Sequence, residues 1–160
     1  MVEQIAGHEG HDAGPPSAVA LHRGPGPFPH TVRIRGHELS TDELFAYGGR
    51  DSGPDPTELL AAALASCTSM TLRVYAERKG WALDGMAVRV AFSEDGGDGR
   101  SAYTVTVELP DDLDEGQAIR LASIATKCPV RRALSTGAGM TEAIRRPHPT
   151  ADRRAPDHAS

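Results

Sequence analysis

The chain has 160 residues, a length that fits one domain with a sizeable core and no need of a disulfide staple. Its net charge of −5 and isoelectric point near 5.8 argue against general nucleic-acid binding. Met1–Ala20 lacks an apolar leader, and no run reaches the ~20 apolar residues of a membrane span, so a reducing cytoplasm is the expected compartment.

Residues 1–16 are rich in Gly, His, Pro and acids and read as a disordered tail. Residues 146–160, rich in Pro, Asp and Arg, read as a second tail. The folded domain is expected over residues 17–145, without internal repeats. Ser17–Arg23 and His30–Arg35 are strand candidates, Val32 and Ile34 alternating with Arg33 and Arg35. His37–Leu44 is a third. Gly48-Gly49-Arg50-Asp51-Ser52-Gly53-Pro54 is a loop by composition.

A strong helix start follows. Asp55 suits an N-cap, Pro56 the first helical position, and Glu58 completes a capping box. The helix is predicted to run to Lys79 and stop at Gly80. Leu59–Cys67 is apolar apart from Ser66, which predicts burial on every side. Strands are predicted over Val88–Phe92 and Tyr103–Leu109, joined by a loop at 94–99. A second helix is expected over 114–127, interrupted by Pro129, with a helical turn to Leu134. Met140–Ile144 is a last strand candidate. The order βαββαβ around one buried helix makes this an α+β domain.

The chemistry rests on two cysteines 61 residues apart, a spacing foreign to CxxC redox motifs and zinc knuckles. Cys67 lies among alanines and leucines, where desolvation raises a thiol's pKa. It needs a cation to act as a nucleophile, and Arg23, Arg33, Arg35 and Arg50 are available, Arg50 by the shortest path. Cys128 precedes Pro129 and can cap the short helix, with Lys127, Arg131 and Arg132 close in sequence. Composition makes it the more acidic thiol. The plainer reading of both is a buried small hydrophobe. His8 and His11 stand three apart without a second ligand pair, which reads as a solvated tail rather than a metal site. His22, His30 and His37 read as strand or loop residues. Glu58 lies on the opposite side of the helix from Cys67 and reads as part of the cap.

These residues resemble the OsmC/Ohr family of thiol-dependent peroxide reductases. The likeness runs from Pro29 to Arg145. It rests on Asp42-Glu43, Gly48–Pro56, Leu59-Leu60, Ala65-Ser66-Cys67-Thr68, Tyr75–Gly80, Leu121–Ala125 and Lys127-Cys128-Pro129-Val130. It implies an intertwined homodimer, with long cysteine-bearing helices enclosed by antiparallel sheets from both chains. It also implies that Cys67 reduces an organic hydroperoxide and becomes a sulfenic acid, that Cys128 resolves it as a disulfide, and that a dithiol reductant reopens the bridge. No cofactor or metal is implied. An arginine, Arg50, Arg35 or Arg33 here, from the same chain or across the dimer, would support the Cys67 thiolate, oriented by a glutamate. The sequence departs from the peroxidase pattern there: Thr57 occupies the family glutamate's place, ten residues before Cys67, and the acid stands at Glu58. The Gly-Gly-Arg-Asp-Ser-Gly-Pro and Cys-Pro-Val segments are closer to the OsmC-like branch than to the Ohr branch. The alternative function is a small-ligand-binding or redox-sensing protein without efficient turnover.

Overall fold

A computed structural model describes residues 18–94 and 100–144. The tails expected at 1–16 and 146–160, with His8 and His11, lie outside the described residues, as does most of the 94–99 loop.

Strands β1 (Ala18–His22), β2 (His30–Ile34) and β3 (His37–Thr41) form an antiparallel sheet in chain order. Ile34 pairs with His37, so Arg35 and Gly36 alone make the turn. Arg35 adopts φ 57, the left-handed geometry that a two-residue hairpin demands. Val32 faces Leu39 across the ladder, and Arg33 pairs in charge with Glu38. The third strand stops at Thr41, short of the expected Leu44, because Asp42 turns the chain inward.

Asp42 is 2% exposed and organises the loop behind it. Its Oδ2 accepts the backbone N–H of Arg50 and of Ser52, each at 3.2 Å, and the Ser52 hydroxyl at 2.7 Å. Its Oδ1 accepts the Glu43 N–H at 2.9 Å. The Ser52 hydroxyl is the largest contributor holding the Asp42 carboxyl below its ordinary pKa, and these backbone donors reinforce it against burial. The chain packs so tightly here that a Cβ on Gly49 would collide with the Glu43 carbonyl, and one on Gly53 with that of Ser40.

Helix α1 spans Pro56–Lys79, the predicted bounds. Asp55 Oδ1 accepts the N–H of Thr57 at 2.6 Å and of Glu58 at 2.9 Å. Glu58 returns the bond from the Asp55 N–H at 3.0 Å. Gly80, at φ 68, ends the helix in the left-handed conformation that side chains resist.

Strands β4 (Ala87–Ser93) and β5 (Ala102–Glu108) form an antiparallel hairpin, with Val88 opposite Val107 and Val90 opposite Val105. Helix α2 (Glu115–Ala125) starts at a second capping box, Asp114 with Gln117. Helix α3 (Pro129–Thr136) follows directly. Helix α1 packs against β4, α2 and α3. The core joins Leu72, Ala76, Leu83, Leu121 and Ile124, flanked by Tyr75, Trp81 and Val107. Burying each leucine stabilises by about 1.5–3 kcal/mol.

The α+β architecture and antiparallel sheets agree with the sequence, and three expectations need correction. Met140–Ile144 forms no strand: Ile144 is 99% exposed, with no neighbouring strand to pair with. Helix α1 is not buried on every side of its own chain. Its buried stripe is Leu64, Thr68, Leu72 and Ala76, a strict i, i+4 series, while Leu60 and Met70 are exposed. Helix α1 is also long and apolar enough to cross a membrane by length and composition, against the expectation that no segment was. Only its buried stripe is covered by its own chain, where α1 packs against α2, α3 and β4; the rest of that apolar surface is open. The β1–β2–β3 sheet packs against no helix of its own chain to a comparable extent, and all of β1 is exposed.

Candidate functional site

Packing of α3 against α1 brings the two cysteines together. Cys67 lies midway along α1, one residue from the buried stripe, and is partly exposed. Cys128 occupies the N-cap of α3 and is fully buried. Their side chains lie close enough for each to shift the other's acidity, and both are free thiols. Pro129 explains the placement: it ends the run of α2, restarts the chain as α3, and leaves Cys128 at the turn between them.

The two thiols differ in acidity. Burial pushes the Cys67 thiol up, and the neighbouring Cys128 thiol adds to that. The Val130 N–H and the Thr71 side chain act the other way, more weakly. Burial alone would raise Cys128 too. The Cys67 thiol, the Arg131 N–H, the Thr68 hydroxyl and the Val130 N–H together outweigh it and hold Cys128 below the ordinary thiol value. The open N–H groups at the start of α3 thus favour the Cys128 thiolate. This matches the reading of Cys128 as the more acidic thiol.

Two threonines beside Cys67 escaped the sequence reading. Thr71 Oγ1 donates to the Cys67 carbonyl at 2.7 Å, a bond back along the helix. Thr68 is 1% exposed, and its hydroxyl meets no partner in good hydrogen-bonding geometry with the thiols reduced. It still lies near enough to Cys128 to favour the thiolate there. Only Thr71 had a positional signal, since a residue four places after a cysteine on a helix lies on the same face.

Arg35 is exposed in the β2–β3 turn. Arg50 is exposed in the loop that Asp42 organises, its backbone fixed and its side chain outward. Neither is among the principal groups that set the acidity of either thiol within one chain. Thr57, in the place of the family glutamate, donates its hydroxyl to Asp55 Oδ1 at 2.6 Å, and Glu58 is committed to the cap.

A cavity of about 400 Å³ opens beside the pair, between α1, β5 and α2. Its walls include Thr68, Leu72, Tyr103, Val107, Leu121 and Arg131. Cys67 and Cys128 lie outside it.

The family model described as OsmC-like protein matches residues 49–142. No curated protein sequence matches the chain. Among solved structures, an osmotic stress induced and detoxification response protein from Psychrobacter arcticus is 20% identical, with a TM-score of 0.65 over 76% of this chain and 89% of its own. The OsmC-like protein of Mycoplasma pneumoniae is 16% identical, with a TM-score of 0.62 over 76% and 88%. The organic hydroperoxide resistance protein OhrB of Bacillus subtilis is 25% identical, with a TM-score of 0.53 over 74% and 89%.

Proposed function

The chain belongs to the OsmC-like protein family, and on that premise we propose that it is a thiol-dependent peroxidase acting on organic hydroperoxides. The observation that carries this reading is that α1–α3 packing sets two free thiols, 61 residues apart in sequence, close enough for each to shift the other's acidity. Such a pair can pass between dithiol and disulfide without rebuilding the fold.

The Cys67 thiolate attacks the terminal oxygen of the hydroperoxide. The O–O bond breaks, the alkoxide takes a proton and leaves as the alcohol, and Cys67 becomes a sulfenic acid. The Cys128 thiolate then attacks the Cys67 sulfur. The S–S bond forms, and hydroxide leaves as water on protonation. A dithiol reductant gives two electrons and two protons to restore both thiols. Low acidity of Cys128 would stall the second step, and the donors around its sulfur address that need.

Cys67 requires a cation, and neither Arg50 nor Arg35 is among the principal groups that set its acidity within one chain. Arg50 or Arg35 from a second copy is the proposed source. The exposed Leu60 and Met70 on α1, and a three-stranded sheet uncovered by its own helices, support a homodimer that closes the site. A reducing compartment such as the cytoplasm keeps both thiols ready.

A second reading has its own observation. The Cys67 thiol is raised, and Thr57 stands where an arginine-orienting acid is expected. Those features fit a redox sensor or ligand-binding protein that reacts once and slowly. Stopped-flow mixing of the reduced protein with cumene hydroperoxide and with hydrogen peroxide, followed by intact mass, separates the two. Fast loss of two thiols as one disulfide, faster with the organic peroxide, is expected. Reaction at the rate of an ordinary free thiol with both peroxides would overturn the enzyme reading.

A further inference from the structure

The cavity between α1, β5 and α2 has a polar end and an apolar end. Chain order sets this polarity. Thr126 closes α2 two residues before Cys128, and Arg131 follows it in the first turn of α3. Thr68 lies on α1 beside the same sulfur. All three residues line the cavity and therefore cluster at its Cys128 end. Strand β5 runs from Tyr103 to Val107 and on through Leu109 towards the start of α2, where Ala118 lies. With Leu72 and Leu121, these residues make the far end apolar.

Two further observations point to what the polar end receives. Thr68 is almost completely buried, lines this cavity, and has a hydroxyl without a well-formed hydrogen bond. A buried hydroxyl in that state is a vacancy for an acceptor. The second is charge. Between Arg120 and Thr141 the sequence has four cations, Arg120, Lys127, Arg131 and Arg132, and no acid. Arg131 has no ion-pair partner among the described residues. A guanidinium with a nearby hydroxyl donor suits a planar anion that accepts two parallel N–H bonds.

We propose that this cavity is a binding site for a medium-chain aliphatic monocarboxylate. Its carboxylate takes Arg131 and the Thr68 hydroxyl, and its chain lies along Val105, Val107, Leu109 and Leu121. The volume falls within the range of small-molecule pockets, and the lining has their composition, mostly apolar with a few converging polar groups. Neither thiol lines the cavity and occupancy needs no redox step, while Thr68 also stands beside the Cys128 sulfur.

Isothermal titration of the full reduced chain with sodium decanoate, in the absence of peroxide, tests this directly. Saturable binding of one decanoate per chain is expected, with 1-decanol at least tenfold weaker. Arg131→Gln should weaken decanoate at least tenfold and leave 1-decanol unchanged. Ala122→Phe, which fills the cavity from an exposed position on α2, should abolish both. The proposal is overturned by no saturable binding, as when a second copy fills the cavity. Decanoate affinity indifferent to Arg131→Gln and to Ala122→Phe would overturn it equally. Peroxide turnover is not read, so failure of the peroxidase reading leaves this outcome untouched.

Discussion

The Ser52 hydroxyl donates to the buried Asp42 carboxylate at 2.7 Å, across a loop of ten residues. With the N–H groups of Arg50 and Ser52 on the same oxygen, that carboxylate fixes the approach to α1. It also sets where the Arg50 side chain leaves the backbone.

Asp42→Asn should lower the melting temperature at pH 7. Asp42 is held below the ordinary carboxylate pKa. A depressed carboxyl stabilises the fold above the unfolded value, about 4, and loses that contribution as pH falls through the folded value. The gap between wild type and Asp42→Asn should therefore shrink below pH 4. Thermal melts from pH 7 to pH 3 read this, and a constant gap would remove Asp42 as an acid-labile anchor.

Gly49→Ala should destabilise by about 1–3 kcal/mol, since the new methyl meets the backbone carbonyl of Glu43 and neither side can yield easily. Urea unfolding of the variant beside Gly36→Ala, whose Cβ would meet open space, measures it.

The cysteine variants separate the two chemical steps. Cys67→Ser should lose nearly all peroxide consumption. Cys128→Ser should consume one equivalent, then accumulate a sulfenic acid or over-oxidise. Dimedone trapping with intact mass distinguishes them, and full turnover by Cys67→Ser would end the assignment.

The arginines are tested through pH. Burial leaves Cys67 above the ordinary thiol value in a lone chain. The thiolate is the reactive form, so a lone Cys67 would react faster as pH climbs past 9, with no plateau near neutrality. If an arginine serves it, wild type plateaus lower, and either Arg50→Ala or Arg35→Ala moves the inflection upward. A profile unmoved in both variants removes these arginines from the mechanism.

Much of this was legible in the sequence, where local chemistry decides. The bounds of α1 follow from Asp55, Pro56, Glu58 and Gly80, each acting within one turn. The hairpin of β4 and β5 follows from strict alternation. The sidedness of α1 did not, because Leu59–Cys67 is apolar on all faces and periodicity cannot tell which face meets its own chain. Met140–Ile144 has strand-like content, but a strand needs a neighbour, and that is a tertiary fact. The approach of Cys67 to Cys128 was suggested by their two special helical positions and implied by the family resemblance, since spacing carries no such information. Asp42 as an anchor, and Thr68 with its idle hydroxyl, have no local signature.

Thr57→Glu probes the departure from the peroxidase pattern. Position 57 is in the first turn of α1, where an acid favours the helix by about 0.3–1 kcal/mol, so the fold should tolerate it. A higher second-order rate with cumene hydroperoxide is expected. An unchanged rate would show that arginine orientation does not limit the reaction.

The stand-off of the β1–β2–β3 sheet from the helices of its own chain also bears on how the molecule breathes. With little apolar surface covered, its ladder amides should open at low free energy and exchange with deuterium quickly, while those around Leu72 and Leu121 wait for global unfolding. Raising protein concentration should slow exchange in residues 18–41. Residues 18–41 would thus report, amide by amide, how much of the population is assembled.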